Sequence, residues 1–238
     1  MIYVCGDTHG TLDLFKIYNW KEKRGLTKDD FLIIAGDAGI LWNPAKDKEV
    51  IDFWSNQPFT TLFIDGNHEN FDLIKELPSV DIGFGEEVGK VNDSIFYLKR
   101  GCVYNIDNKN IFTFGGGNSI DKARRQERVS WWPEELPNQQ EYIRGLESLY
   151  NVGGKVDYVI THTCTTEVVG KLFNYLDFKA VGEDDEKQLR EYFSMLVKED
   201  RFFTFKKWYY GHFHIDKDLY YNGSKFFCLY NRAPIRID

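Results

Sequence analysis

The chain has no apolar run approaching the ~20 residues that a membrane-spanning helix requires. Its first residues carry no basic segment followed by a hydrophobic stretch, so no signal peptide is read there and a cytoplasmic location is expected. Cysteine is scarce: Cys5, Cys102, Cys164 and Cys228 are the only four in 238 residues, and no two form a Cys-x-x-Cys pair. That spacing argues against a structural zinc of the thiolate type, and the four are expected to be reduced core residues. Positive charge is also in deficit, with 30 Lys and Arg against 37 Asp and Glu, a formal net charge of -7. An acidic surface disfavours non-specific nucleic-acid binding, although two bound divalent ions would still create a local cationic site. Internal repeats, low-complexity tracts and linkers are missing, so residues 1–238 read as one domain. The Gly115-Gly116-Gly117 run is followed by no Gly-Lys-Ser/Thr and is not a phosphate-binding P-loop; it is expected to turn the chain close to the site.

What is present begins at Ile2-Tyr3-Val4-Cys5-Gly6-Asp7-Thr8-His9-Gly10. A short β-favouring run feeds a tight loop, where glycine permits conformations that other residues resist. Asp7 and His9, two apart, can face one point. The pattern repeats. Phe31 to Ala35 reads as a strand ending at Gly36-Asp37, and Thr60 to Ile64 as one ending at Gly66-Asn67-His68-Glu69. Between them, helices are predicted over Thr11–Glu22, with Leu12, Phe15 and Trp20 inward, over Lys46–Asn56, and over Asn70–Leu77. Strand-helix alternation implies right-handed crossovers and a largely parallel sheet, whose ligands gather at the carboxyl ends of the strands. Ser94 to Phe114 reads as a three-stranded antiparallel meander. Helices are predicted over Asn138–Tyr150 and Asp184–Lys198. Strands are predicted over Val156–Ile160, which delivers His162, and Phe203–Tyr210, which delivers Gly211-His212-Phe213-His214. Two last strands follow at Leu219–Asn222 and Phe226–Tyr230.

All five histidines of the chain fall at or near such strand ends. One such histidine is more often a hydrogen-bonded core residue; five in one setting point to metal chemistry. Imidazole suits borderline divalent metals, and Asp and Asn add hard oxygen donors. Asp7, His9, Asp37, Asn67, His162, His212 and His214 make seven donors. That is too many for one ion with an open position, and it fits two ions sharing a carboxylate. Ions ~3.5–4 Å apart can clamp a phosphoryl group during in-line attack.

Taken in order, the five corners resemble the motifs of the calcineurin-like metallophosphoesterase superfamily, over nearly the whole chain. The resemblance implies a four-layer α/β/β/α sandwich of two mixed sheets flanked by helices. It implies that Asp7, His9 and His214 bind a first ion, that Asn67, His162 and His212 bind a second, and that Asp37 bridges them. Mn is the favoured ion, with Fe, Zn or Ni as alternatives. It further implies hydrolysis of a phosphomonoester or phosphodiester by a metal-bridging hydroxide, with His68 assisting the leaving group. The protein-phosphatase branch has an acid and an Arg after its second motif, where this chain has Ala38-Gly39-Ile40-Leu41, and an Arg where this chain has Asp65. A Ser/Thr protein phosphatase is therefore disfavoured. A nuclease is weakened by the acidic charge, and a non-catalytic scaffold by the complete donor set. Small phosphorylated substrates or nucleotides are the expected partners; a homo-oligomer is left open. Arg124 and Arg125, with Arg128, Trp131 and Trp132 nearby, are candidate substrate contacts. The competing reading is a solvated basic segment followed by a structural Trp plug. The segment from Cys164 to Glu183, with Leu172, Phe173, Tyr175, Leu176 and Phe178, reads as a lid, a dimer patch or plain core.

Overall fold

The first strand shows why the fold is layered. Ile2 and Val4 enter one buried cluster, while Tyr3 and Cys5 enter another. Alternation of that kind means that the strand is covered on both faces. The computed structural model describes residues 1–175, 184–198 and 202–238.

In chain order the first strands are β1 (Ile2–Cys5), β2 (Phe31–Ala35), β3 (Thr60–Ile64), β4 (Ser79–Val80), β5 (Val88–Asn92) and β6 (Ile95–Tyr97). They are followed by β7 (Cys102–Ile106), β8 (Lys109–Phe114), β9 (Tyr158–Thr161), β10 (Lys207–Tyr210), β11 (Lys217–Tyr221), β12 (Ser224–Cys228) and β13 (Ile235–Arg236). One sheet has the order β13-β1-β2-β3-β6-β5-β4 and the other β11-β12-β10-β9-β8-β7. The middle of each is parallel and the edges are antiparallel, so both sheets are mixed. Ile33, Leu62, Ile64, Ile160, Tyr209 and Phe227 fill the layer between the sheets.

Helices cover the two outer faces. On the first sheet lie α1 (Phe15–Tyr18), α2 (Pro44–Ser55) and α3 (Phe71–Lys75), closing over Leu14, Ile17, Trp20 and Trp54. On the second lie α4 (Gln139–Asn151), α5 (Thr166–Leu172) and α6 (Lys187–Lys198), closing over Phe114, Val168, Phe193 and Trp208. Three cores between four layers is the α/β/β/α sandwich that the motif order implied. Helix starts follow local chemistry. The Asn43 side chain accepts the N–H of Ala45, with Pro44 at the first position of α2, and Asn138 and Glu141 form a reciprocal capping box on α4. No helix among the described residues is long and apolar enough to cross a membrane.

Two expectations are corrected. A helix does not run over Thr11–Glu22: only Phe15–Tyr18 is α-helical, and Leu12 and Phe15 are exposed. The reason lies at His9 and Gly10, both at positive φ, after which the Leu12 and Asp13 N–H groups bond back to His9 and Thr8. That turn uses up the residues that would have begun the helix. Nor do Ser94 to Phe114 form one meander. β6 pairs in parallel with β3 in the first sheet, whereas β7 and β8 form a hairpin in the second. The chain changes sheets at Arg100-Gly101. Arg100 is buried there against Asp65, and a β-carbon on Gly101 would lie 2.8 Å from backbone atoms of Glu141 and Gly145 in α4.

Leu172, the last residue of α5, is buried, while Phe173 and Tyr175 are partly exposed. Leu176 and Phe178 lie outside the described residues.

Candidate metal centre

Strands β1, β2, β3, β9 and β10 each end in a polar corner. His9, Asp37, His212 and His214 adopt positive φ values of 43°, 48°, 70° and 52°. Such geometry costs an L-residue roughly 1–3 kcal/mol and persists where the surroundings impose it, as at functional sites. Glycine makes the close approach possible. A β-carbon on Gly66 would stand 2.1 Å from Asp37 Oδ1, and one on Gly211 would stand 2.1 Å from Asp7 Oδ1.

The seven donors converge. His9 Nε2 lies 3.2 Å from Asp37 Oδ2, and His162 Nε2 lies 3.4 Å from Asp37 Oδ1. His214 Nε2 is 3.3 Å from Asp7 Oδ2, and His162 Nε2 is 3.1 Å from Asn67 Oδ1. The His212 main-chain N–H donates to both Asp7 oxygens at 3.1 and 3.2 Å, which joins the second sheet to the first, and the His212 ring packs on that of His162 at 4.8 Å between centroids. Asp7, His9 and His214 form one potential metal-holding trio, Asp7, Asp37 and His162 a second, and His9, Asp37 and His68 a third.

The fit to a cation follows from the hydrogen bonds. His9 Nδ1 lies 2.7 Å from Asp13 Oδ2, and His162 Nδ1 lies 2.9 Å from the Ala35 carbonyl. Both outer partners are acceptors, so each Nδ1 carries the proton. The inner Nε2 lone pairs then face carboxylate oxygens, acceptor against acceptor. Only positive charge relieves that opposition. In the protein alone a second ring proton supplies it. Burial lowers the His162 pKa, but Asp37 outweighs it and pushes the ring up to about 10. Burial raises the Asp37 carboxyl, yet the facing His162 and His9 hold it well below the usual carboxylate range. A buried cluster of imidazole, carboxylate and amide oxygen, without thiolate, is a donor set for divalent ions of the Mn, Fe, Zn or Ni kind.

The family model for calcineurin-like phosphoesterases matches residues 1–216. The chain belongs to that family. The chain is 34% identical to the lariat debranching enzyme of Schizosaccharomyces pombe over 128 residues, 48% of this chain and 25% of that one. It is 27% identical to the lariat debranching enzyme of Drosophila melanogaster over 186 residues, 70% of this chain and 33% of that one. The chain thus spans a quarter to a third of the length of these relatives. Among solved structures, a Staphylococcus aureus protein provisionally assigned as a 5′-nucleotidase, in complex with alpha-ketoglutarate, superposes with a TM-score of 0.51 at 15% identity. That match covers 98% of this chain and 48% of the other, and it reports on the fold alone.

His68 lies beside the donors, with its main-chain N–H on Asp37 Oδ1 at 2.7 Å. Its side chain meets Arg125: Nη1 is 3.0 Å from Nδ1, and Nη2 is 3.5 Å from Nε2, the limit of a hydrogen bond. Burial lowers the His68 pKa, and the Arg125, His9 and His162 charges lower it further against the pull of Asp37. Of the two arginines singled out from the sequence, Arg125 reaches the site. Arg124 is exposed and does not line the cleft there. Arg128 is exposed and paired with Asp72 and Glu134. Trp132 is the structural plug of the competing reading, buried with its N–H on Asp72. The aromatic ring near His68 is instead Trp42, at 6.4 Å between centroids.

Sequence reasoning missed four groups here. Asp13, four residues after His9, was hidden inside the expected helix. Glu186 was hidden in the acidic run at the start of α6; its Oε2 lies 3.1 Å from His212 Nε2. Burial raises the Glu186 carboxyl, but the facing His212 outweighs this and holds it down to about 2. Ser119 accepts the Asn67 amide N–H at 3.2 Å, which leaves Asn67 Oδ1 toward His162. The glycine run passes close as expected: a β-carbon on Gly117 would meet His162 and Asn67 at 3.0 and 3.1 Å. Tyr230 stacks on His214 at 4.4 Å with an interplanar angle of 3°. Asp65, where the protein-phosphatase branch has Arg, is a buried partner of Arg100 and Tyr97 and faces no cleft.

Proposed function

We propose that the chain is a metal-dependent phosphodiesterase. The observation that carries the reading is the position of His68, which lines two clefts at once. One, of about 860 Å³, is walled by Leu12, Trp42, Asn43 and Lys46 and includes His9. The other, of about 610 Å³, is walled by Arg125, Phe173 and Tyr175 and includes Asn67, His212 and His214. A phosphorus atom seated at the donor cluster has walled space on either side. A monoester would occupy one cleft, whereas a diester occupies both. The relatives named as lariat debranching enzymes support the same substrate class.

In this reading Asp7, His9 and His214 would hold one ion, Asn67, His162 and His212 the other, and Asp37 would lie between them. Mn suits the mixed imidazole and oxygen donors. When bound, the ions supply Lewis-acid charge at the phosphoryl oxygens and an activated water for in-line attack. Everything else is done by side chains. Arginine only donates, so the 3.0 Å contact from Arg125 makes His68 Nδ1 an acceptor and leaves the ring proton on Nε2. That N–H would donate a hydrogen bond to the departing oxygen and stabilise the charge that develops there. The Arg125 fork, already at the cleft wall, also matches phosphate oxygens.

The test is turnover of bis-p-nitrophenyl phosphate against p-nitrophenyl phosphate with added Mn, then of 3′,5′- and 2′,5′-linked dinucleotides. A clear preference for diesters supports the reading. Preference for monoesters, or no turnover of any of these by the metal-loaded protein, contradicts it.

A further inference from the structure

Three histidines of the centre use one ring nitrogen on an acceptor outside the donor cluster. For His162 the acceptor is a backbone carbonyl, and for the other two it is a buried or half-buried carboxylate. These carboxylates belong to none of the five motif corners, and they divide evenly over the donor sets proposed for the two ions. Asp13 serves His9, in the trio with Asp7 and His214. Glu186 serves His212, in the trio with Asn67 and His162.

Each is built in rather than incidental. The tight turn after His9 brings Asp13 back to the ring: its own N–H bonds to Thr8, and Oδ2 reaches His9 Nδ1 at 2.7 Å. Its other oxygen accepts the Tyr230 hydroxyl at 3.2 Å, and the Tyr230 ring lies flat on His214. One carboxylate and one tyrosine therefore orient both imidazoles of the first trio. Glu186 is only 4% exposed. Its Oε2 also accepts the Asn118 N–H at 3.2 Å, and its Oε1 lies 3.7 Å from Arg190 Nη1. The sheet corner supplies His212, while the segment entering α6 supplies its partner.

The chemistry gives these contacts a purpose. An ionised carboxylate accepts only, so the nitrogen facing it keeps the proton and the other nitrogen keeps its lone pair. It also makes the imidazole a stronger donor. For His9 the freed atom is Nε2, on the Asp37 side. For His212 Nε2 is occupied by Glu186, which frees Nδ1.

We infer that Asp13 and Glu186 are positioning residues of the metal centre, one for each ion. Asp13 sets the tautomer of His9 for the first ion, and Glu186 sets that of His212 for the second. The inference rests on the two-ion reading above.

The experiment is Mn titration of the metal-free full chain by calorimetry, with crystals grown at limiting Mn to locate the ions by anomalous scattering. The variants are Asp13→Asn and Glu186→Gln, whose amide N–H can move the ring proton to the wrong nitrogen. Loss of such an outer partner costs about 10–100-fold in metal affinity. Asp13→Asn should weaken by that factor the ion held by Asp7, His9 and His214, leaving the other within about twofold. Glu186→Gln should do the reverse. Tyr230→Phe, which frees one Asp13 oxygen, should weaken the first ion only, by a smaller factor. Thermal midpoints of the metal-free variants should match the parent. Three results overturn the inference: both variants bind both ions like the parent, the affected ions are exchanged, or both ions weaken together with a lowered metal-free midpoint. A parent chain that binds fewer than two ions overturns the two-ion reading itself, which is a different outcome.

Discussion

Arg125 Nη1 stands 3.0 Å from His68 Nδ1. A guanidinium cannot accept a hydrogen bond, so this contact, the shorter of the two that Arg125 makes with the ring, favours the proton on Nε2. His68→Ala should lower kcat by about 10²–10³-fold, the usual worth of a positioned hydrogen-bond donor at developing negative charge. Its metal content should be unchanged, because the ring is no member of the seven-donor set. Mass spectrometric metal analysis beside steady-state kinetics checks both. Loss of metal would place His68 among the ligands instead.

Gly211 faces Asp7 in the same way that Gly66 faces Asp37. A methyl group at residue 211 would sit 2.1 Å from Asp7 Oδ1 and 2.9 Å from the Ala35 carbonyl. Neither neighbour can yield without moving a ligand or a strand. Gly211→Ala should therefore weaken metal binding by about tenfold or more, in the range seen when ligand orientation is lost. Far-ultraviolet circular dichroism should stay near that of the parent. Unchanged metal affinity would show that the corner is not under this constraint.

Arg100 joins the sheets where the chain crosses between them. It is buried, grips Asp65 through two nitrogens, and reaches Glu141 and the Glu134 carbonyl. Removing one partner of a buried pair leaves the other charge uncompensated, at a cost of about 3–5 kcal/mol. Arg100→Ala should lose that much in urea unfolding. A loss under about 1 kcal/mol would mean that Asp65 finds another partner.

Stability toward acid has a further contributor remote from the metal centre. Burial raises the Glu167 carboxyl, but hydrogen bonds from Lys198 and Ser194 outweigh it and hold it below its ordinary value of 4.5. A depressed carboxyl stabilises the fold above its unfolded pKa, and the contribution fades as pH falls through the folded value. Glu167→Gln should therefore be less stable than the parent at pH 7, with the gap narrowing at and below pH ~4. Urea midpoints at the two pH values decide it. A constant gap would remove the carboxylate from the explanation.

The five corners were legible because four couple a glycine to a metal-type side chain at the end of a β-favouring run and the fifth sets His162 between two threonines at such an end. Few foldable alternatives put five histidines in that setting. The sandwich was implied by the family resemblance that the ordered motifs carry, and strand-helix alternation agreed with it. Partner choice was not legible: period-two patterning marks Ile95–Tyr97 and Cys102–Ile106 as strands but does not say which sheet each joins. That is settled by pairing between distant segments, and the crossing point is marked by Arg100 on Asp65, 35 residues away in sequence. Leu12 and Phe15 sit at helical spacing yet face solvent, Leu12 on the wall of a cleft. Reading them as core hid Asp13. Glu186 carried no local signal, since an acidic residue at the start of a charged helix is usually solvated. Only the fold brings it to His212.

The central claim is that two cations sit among these seven side chains with Asp37 between them. Crystals soaked in Mn and measured for anomalous scattering test it most directly. Two peaks should emerge, one ringed by Asp7, His9 and His214, the other by Asn67, His162 and His212, and Asp37 should touch both. A single peak, or none at saturating Mn, would contradict the account.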